Sequence, residues 1–315
     1  MQISKQTLNE FIHGSVYNEE KDDYILFYRC TKGQIDYLEK VNEFFYDRTK
    51  FQASVTLEFD TDATIVSFDY KIFNIGSLDS FDIYVDGIAY QFIQLTNEPN
   101  ESTIKVELPE GKKNIVIYLP CDSEIGIKDL CINGNLELPT VNKELVLCYG
   151  DSITNGFGSF RSSVIYLNVA ARKLGWDVVN QGIGGYYFDE KYIYPINKTP
   201  DKILVAFGTN QILWNDITGN IEKFFERISK VYPNIPVLVI SPIWRGDVVG
   251  ASKILTIIKD YIFNVCENYP NITVVDGFTL VPHIEYYYHD KLHPNGLGME
   301  VYGNNLAKFV KKTNW

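Results

Sequence analysis

The feature that most constrains the fold is a change in hydrophobic patterning near residue 140. Before it, the chain has short runs rich in Val, Ile, Tyr and Phe, and many of these alternate apolar and polar residues. After it, apolar strand-like runs alternate with longer stretches of helical periodicity. The two patterns are typical of different architectures. The sequence therefore predicts two domains, residues 1–140 and residues 141–315.

The first half predicts an all-β sandwich, jelly-roll-like in type. Turn-forming pairs such as Asp86-Gly87 and Glu110-Gly111 separate the apolar runs, and Gly after Asp or Glu is a common turn signal. Many short strands with regular turns favour a sandwich. The predicted strands are 51–58, 64–72, 81–85, 89–95, 103–108 and 114–119.

The second half predicts an α/β fold, because strands and helices alternate along the chain. Such alternation implies right-handed crossovers and a parallel sheet with helices on both faces. The predicted strands are 144–149, 177–180, 202–207, 237–241 and 272–276. The predicted helices are 163–174, 221–231, 252–267 and 296–312.

Composition narrows the classes of partner. The net charge of −11 repels phosphate backbones, so we expect no nucleic-acid partner. No apolar run approaches the length of a membrane span, so we expect no membrane partner, and the first residues lack the basic and apolar regions of a secretory signal. These observations favour the cytoplasm. The five cysteines are scattered without a Cys-x-x-Cys pair, which argues against a zinc cluster or a disulfide framework.

Three polar segments each follow a predicted parallel strand. They are Tyr149-Gly150-Asp151-Ser152-Ile153-Thr154, Asn180-Gln181-Gly182-Ile183-Gly184-Gly185 and Phe207-Gly208-Thr209-Asn210. Ligand sites of open parallel sheets form beyond the carboxyl ends of the strands. A serine hydroxyl, a bare glycine N–H and an asparagine amide at that edge are groups suited to acyl chemistry. Taken singly, each segment fits a helix cap or an ordinary turn equally well.

A fourth segment, Asp290-Lys291-Leu292-His293-Pro294, precedes the last predicted helix. Histidine is the side chain best suited to accept a proton from serine near neutral pH. An aspartate three residues earlier can turn back to the imidazole and fix its tautomer. His289 and His293 would form half a metal site on a helix, but Pro294 disfavours a helix here, so we predict no metal.

Together, in this order, the four segments resemble the four blocks of the SGNH hydrolases, also called GDSL-type. Gly150-Asp151-Ser152-Ile153 is similar to the first block, Gly185 to the second, Gly208-Thr209-Asn210 to the third, and the Asp290–His293–Pro294 segment to the last. The resemblance covers residues 140–315. It implies a three-layer α/β/α sandwich with a five-stranded parallel sheet of flavodoxin-like order. Because Gly184 and Gly185 are adjacent, the second match can slip by one residue.

The resemblance also implies a role for each block residue. Ser152 would be the nucleophile, His293 the general base and Asp290 the residue that orients His293. The oxyanion hole would consist of the N–H groups of Ser152 and Gly185 and the side chain of Asn210. No metal or other cofactor would take part.

A second resemblance concerns the N-terminal half. Ser80-Phe81-Asp82-Ile83-Tyr84-Val85 is similar to a Gly-x-Asp-Leu-Tyr segment of a β-sandwich domain found ahead of some bacterial SGNH esterases. A related two-domain layout occurs in carbohydrate esterase family 2, which removes acetyl groups from sugars. We therefore predict a serine esterase acting on acetylated carbohydrate or a small ester. Tyr186, Trp214 and Trp244 follow strand ends and are predicted to contact substrate, although ordinary packing also explains aromatic residues there.

Two alternatives remain open from the sequence. The same site suits a lipase or thioesterase, and a long apolar groove beside Ser152 would favour that activity. A β-sandwich fused to an inactive hydrolase fold would instead be a carbohydrate-binding protein. The sequence is also compatible with a homo-oligomer.

Overall fold

The computed structural model describes residues 2–77, 79–139, 143–213 and 216–315. In the first half, strands form two five-stranded antiparallel sheets, ordered β1-β4-β9-β6-β7 and β2-β3-β10-β5-β8. Within the described ranges these ten strands are β1 Ile12–His13, β2 Tyr17–Lys21, β3 Tyr24–Tyr28, β4 Thr56–Thr61, β5 Ile65–Ile75, β6 Ser80–Val85, β7 Ile88–Gln94, β8 Glu101–Glu107, β9 Lys113–Tyr118 and β10 Ser123–Ile132.

The two antiparallel sheets pack on a single apolar core. Leu57 and Ile117 contribute from the first sheet, and Phe68 and Ile127 from the second, and all four are buried. Alternate residues of a strand point to one face, so the alternating runs of the sequence supply that face. The predicted β-sandwich is confirmed. The predicted strand 51–58 begins later, at Thr56, because a turn with Ser54 at φ 64° precedes it.

The second half forms a parallel sheet with the order β12-β11-β13-β14-β15. Its strands are β11 Glu144–Gly150, β12 Trp176–Gly182, β13 Lys202–Ala206, β14 Val237–Ile240 and β15 Ile272–Val275. Numbered from the first strand of this sheet, the order is 2-1-3-4-5, which is the flavodoxin-like order. The predicted α/β architecture is confirmed.

Helices cover both faces of the parallel sheet. The helices of the described residues are α1 Lys5–Leu8, α2 Lys32–Val41, α3 Glu43–Thr49, α4 Ser152–Asn155, α5 Tyr166–Leu174, α6 Ile221–Val231, α7 Ala251–Cys266 and α8 Gly296–Thr313. Along β11, Leu147 and Tyr149 enter the core under α6 and α7, whereas Val146 and Cys148 enter the core under α5 and α8. A strand buried on both faces needs this continuous apolar run.

The N-terminal helices α2 and α3 pack on the α/β part of the molecule rather than on the sandwich. Leu38 of α2 is buried in the same core as Ile183, and Phe45 of α3 packs against that core. The predicted domain boundary at Thr140 lies outside the described residues, and the division at that position stays a prediction. No helix among the described residues is long and apolar enough to cross a membrane.

A close contact between α5 and α8 gives a stability prediction. A Cβ on Gly303 would lie 2.5 Å from the carbonyl oxygen of Tyr166 and 2.6 Å from Cβ of Val169. We expect Gly303→Ala to lower the free energy of unfolding by about 1–3 kcal/mol, because the helices must separate to admit the methyl group. The urea midpoint measures the change. Gly296→Ala is the control on the same helix, since its nearest atoms lie 3.9 Å away; equal effects would contradict the prediction.

Candidate active site

The four polar segments meet at the carboxyl edge of the parallel sheet. Gly150 ends β11, Gly182 ends β12, and Phe207 directly follows β13. His293 lies in the connection between β15 and α8, at the same edge. The fold therefore brings together residues that are up to about 140 positions apart in the chain.

Ser152 begins the short helix α4 directly after β11. Asp151 caps this helix by accepting a hydrogen bond from the N–H of Ile153 at 2.9 Å, and burial raises the pKa of Asp151 to about 7. The first N–H groups of a helix have no partner inside it, so the N–H of Ser152 is free of the helix ladder. Gly150 permits the tight turn, because a Cβ there would lie 2.1 Å from Oγ1 of Thr154.

A row of hydrogen bonds joins Ser152, His293 and Asp290. Oγ of Ser152 lies 2.8 Å from Nε2 of His293, and Nδ1 of His293 lies 2.7 Å from Oδ2 of Asp290. The other carboxylate oxygen of Asp290 accepts the N–H of His293 at 2.7 Å. Asp290 thus holds both the imidazole and its backbone. In this geometry Nδ1 of His293 carries the proton and Nε2 is a free base facing the hydroxyl.

The protonation states suit proton transfer. Burial lowers the pKa of His293 from its ordinary value, and this outweighs the opposing influence of the Asp290 carboxylate. Burial acts to raise the pKa of Asp290, but hydrogen bonds from the backbone and ring of His293 outweigh it, and the net pKa is lowered. Near pH 7 the pair is therefore a neutral imidazole beside a carboxylate.

Two residues beyond α4 fix the position of the imidazole. The ring of Phe157 packs edge-on against the ring of His293, with centroids 4.6 Å apart. Gly158 has φ +87°, and a Cβ there would lie 2.9 Å from Cβ of His293. Neither residue was predicted from the sequence. The closely spaced Gly156 and Gly158 were the available signal, since such spacing after a helix permits a tight turn.

Gly185 and Asn210 lie on adjoining loops at this edge. Gly185 is exposed with φ +75°, whereas Gly184 is not in the left-handed region. One side-chain N–H of Asn210 donates to the carbonyl of Tyr186 at 2.8 Å. An amide carries two such donors, and the predicted role of Asn210 in the oxyanion hole would use the second. The bond ties the third predicted segment to the second.

The predicted substrate-contacting aromatic residues have different surroundings. The side chain of Tyr186 is fully buried and its hydroxyl donates to Asp189 at 2.7 Å. The prediction that Tyr186 contacts substrate is therefore wrong, because the ring belongs to the core. Trp244 is half-buried and packs edge-on against Tyr288, and its substrate contact stays a prediction. Trp214 lies outside the described residues.

A helix from the N-terminal half borders the site, which sequence patterning did not indicate. A Cβ on Gly185 would lie 3.6 Å from Cε1 of Phe44 and from Cε1 of Phe45, both on α3. Phe44 is 50% exposed, so its ring forms an accessible apolar surface beside the Gly185 loop. Its contact spans 141 residues of sequence, which explains why local patterning carried no signal for it.

A cavity of about 690 Å³ lies elsewhere, between the sandwich and the amino ends of the parallel strands. Its lining includes Tyr118, Arg172 and Trp176. Trp176 begins β12 whereas Gly182 ends it, so the cavity is at the opposite edge of the sheet from Ser152. Large concave pockets are the usual first choice for an active site. Here, however, the hydrogen-bonded Ser152, His293 and Asp290 lie at the other edge of the sheet.

Comparisons with known proteins agree with this architecture. A salicylyl-acyltransferase, SsfX3, from a tetracycline biosynthetic pathway is 19% identical with a TM-score of 0.81, covering 100% of this chain and 97% of that chain. The acetyl xylan esterase Est2A from Butyrivibrio proteoclasticus is 14% identical, with a TM-score of 0.69 and coverages of 100% and 98%. A family two carbohydrate esterase from Clostridium thermocellum is 17% identical, with a TM-score of 0.66 and coverages of 82% and 92%. At these identities the likeness concerns the fold.

The sequence of the second half matches a known family. Residues 148–301, just under half of the chain, match the model of the GDSL-like lipase/acylhydrolase family. This match and the shared fold define the class of protein, a carboxylic ester hydrolase. No protein of curated function matches the chain significantly in sequence.

Proposed function

We propose that this chain is a serine esterase that removes acetyl groups from carbohydrate esters through an acyl-serine intermediate on Ser152. The observation that carries the proposal is the hydrogen-bonded row from the Ser152 hydroxyl through both nitrogens of His293 to Asp290. Nucleophile, base and orienting carboxylate within hydrogen-bond reach are the signature of covalent acyl transfer.

The reaction follows from the positions of these groups. Oγ of Ser152 attacks the ester carbonyl while Nε2 of His293 takes the hydroxyl proton, and Asp290 stabilises the resulting imidazolium. The oxyanion receives hydrogen bonds from the N–H groups of Ser152 and Gly185 and from the amide of Asn210. As the oxyanion collapses, the ester C–O bond breaks and the leaving alcohol takes the proton from His293. Water, deprotonated by His293, then releases the acid and restores Ser152.

The choice of acetylated carbohydrate rests on the shared architecture. Both an acetyl xylan esterase and a family two carbohydrate esterase share the sandwich and the α/β fold over most of their length. The partly exposed Phe44 and Phe157 near Gly185 and His293 offer apolar faces on which a sugar ring can stack. Shared fold alone does not fix a substrate, so the choice needs a direct test.

Acyl transfer to an alcohol is the second candidate function. The structural alignment with the salicylyl-acyltransferase spans both chains almost completely. Transfer and hydrolysis share the acyl-serine intermediate and differ only in whether an alcohol or water accepts the acyl group. Ser152 is partly exposed, and access of water to an acyl group on it would favour hydrolysis.

The test compares turnover of p-nitrophenyl acetate, butyrate and octanoate, followed by mass spectrometry of acetylated xylo-oligosaccharides. We expect the acetate to be the best substrate of the three. Each oligosaccharide should lose about 42 Da per acetyl group removed, because hydrolysis of the acyl-enzyme leaves a hydrogen in place of the acetyl group. A preference for octanoate would support a lipase-type enzyme. Acyl transfer to added alcohol in excess of hydrolysis would support the transferase, and no turnover would support a binding protein.

The lowered pKa of His293 predicts the pH dependence. The base acts only when it is neutral, and burial favours the neutral form. The acid limb of the kcat/KM profile should therefore have its midpoint below about 6.5, the ordinary histidine value. In Asp290→Asn the raising influence of the carboxylate is lost, so the midpoint should fall further while the maximal rate drops about 10²–10⁴-fold. A midpoint that rises, or an unchanged maximal rate, would contradict the role of Asp290.

A further inference from the structure

The side chain of Arg29 lies at the junction of the two halves of the chain, between the end of β3 and the start of α2. It is completely buried. All five of its N–H donors have an acceptor, and every acceptor is a neutral oxygen. Nε donates to the carbonyl of Phe51 at 2.6 Å, Nη1 to the carbonyls of Asn180 and Gly182 at 2.6 Å each, and Nη2 to the carbonyl of Arg48 at 3.0 Å and Oδ1 of Asn155 at 2.6 Å.

Three of these acceptors belong to the segments that form the candidate active site. Asn155 is the last residue of α4, the helix that Ser152 begins. Asn180 and Gly182 are at the end of β12, and the loop that contains Gly185 starts directly after Gly182. One rigid guanidinium therefore joins the helix of the nucleophile to the strand that leads to the second oxyanion donor. Its planar fork fixes the directions of the bonds as well as their lengths.

The helix α4 and the end of β12 are also in close contact with each other. A Cβ on Gly182 would lie 2.7 Å from the backbone nitrogen of Asn155, and the side chain of Asn180 donates to the carbonyl of Thr154 at 2.7 Å. Gln34 of α2 adds a bond to Oε1 of Gln181 at 2.7 Å, and Gln181 donates to the carbonyl of Arg29 at 3.1 Å. A fully satisfied buried network of this kind is rigid and specifies one arrangement.

We propose that Arg29, which the N-terminal half of the chain supplies, is a positioning residue of the active site; this inference rests on the proposed esterase function. It holds α4 and the end of β12 at the separation at which the N–H groups of Ser152 and Gly185 point to one oxyanion. It does not touch the substrate. Preorganised donors of this kind act mainly on the transition state, so the effect of Arg29 should appear in kcat rather than in KM.

Arg29→Lys tests the proposal against Arg172→Lys. Lysine keeps the charge but has only three donors on a flexible stem. Arg172 is the matched control because it also joins the halves, donating to the hydroxyl of Tyr118 at 3.0 Å and to the carbonyl of Ser163 at 2.7 Å, but it lines the cavity at the opposite edge of the sheet. For p-nitrophenyl acetate we expect kcat of Arg29→Lys to fall about 10–100-fold with KM little changed. Displacement of the oxyanion donors by up to about 1 Å would lower the rate by this amount. Arg172→Lys should lose stability but keep kcat.

A second pair of variants leaves Arg29 in place in case its substitution prevents folding. Asn155→Asp keeps an oxygen acceptor for the guanidinium, whereas Asn155→Ala removes it. We expect kcat near the wild-type value for Asn155→Asp and about tenfold lower for Asn155→Ala, since only the latter frees α4 from the guanidinium. Equal kcat values for this pair would overturn the proposal.

The wild type separates this inference from the proposed function. A wild type that turns over no ester overturns the proposed function, and this inference with it. An active wild type with an equally active, folded Arg29→Lys variant overturns the inference alone. The same holds if Arg29→Lys and Arg172→Lys lose kcat in equal proportion to their loss of stability, because Arg29 would then act only on the fold.

Discussion

Ser152→Ala is expected to lower kcat/KM for p-nitrophenyl acetate by about 10⁴–10⁶-fold, the range seen when the nucleophile of such a catalytic unit is removed. The physical reason is that no other hydroxyl lies within 2.8 Å of Nε2 of His293 among the described residues. Without Oγ the base has only water to activate, and the acyl-enzyme pathway is closed. Residual rate would come from the oxyanion donors acting on bound substrate.

Ser162→Ala is the matched control for this substitution. Its hydroxyl is buried and has no hydrogen-bond partner in the described part of the chain, so its removal should cost little stability or activity. The circular dichroism and melting temperature of both variants show whether the fold is kept. A folded Ser152→Ala variant with wild-type turnover would overturn the serine mechanism.

His293→Gln is expected to have an effect of similar size, about 10⁴–10⁶-fold in kcat/KM. Glutamine fills much of the space between Phe157 and Gly158, but an amide is not a base at any physiological pH. Proton transfer from Ser152 would then depend on water, and the dependence of the rate on the lowered pKa of His293 should vanish. The pH profile of the residual activity measures this directly.

His289→Gln is the matched control, since His289 lies in the same connection four residues earlier. Its exposed imidazole packs against Phe160 at 4.7 Å, and it should lose little activity. If the two histidine variants lose activity equally, the loss comes from disturbance of the loop, and the assignment of His293 as the base is wrong.

Much of the fold was predictable because the apolar patterns are local. Strands β11, β13 and β14 are buried on both faces along most of their length, so their runs of Val, Ile and Leu stand out within four to seven residues. β2 was not predicted because four of its five residues are exposed. β10 was missed because Glu124, Lys128 and Asp129 interrupt its pattern, and Asp129 has φ 52°. β3 carried a usable signal, because its five residues are all aliphatic or aromatic and all are buried. This run was not assigned to a strand.

The site was predictable where chemistry is local and unpredictable where it depends on distant contacts. Each predicted site residue lies just after a predicted strand or just before a predicted helix, and its residue type limits the chemistry that it can perform. These residues are Ser152, Gly185, Asn210, Asp290 and His293. Arg29 contacts Asn155 and Gly182 across 126 and 153 residues of sequence, and no periodicity encodes such pairs. Tyr186 was assigned to the substrate because its neighbours are predicted site residues, but the core under α6 takes its ring.

The central claim is that the acyl group passes through the oxygen of Ser152 once the four loops enclose the ester carbonyl. The most direct measurement is to quench the wild-type enzyme with acid during turnover of p-nitrophenyl acetate and to locate the added acetyl mass by peptide mass spectrometry. We predict a transient acetyl group on the peptide that contains Ser152, absent from Ser152→Ala. An acetyl group that accumulates on another residue and decays at the turnover rate would contradict the account.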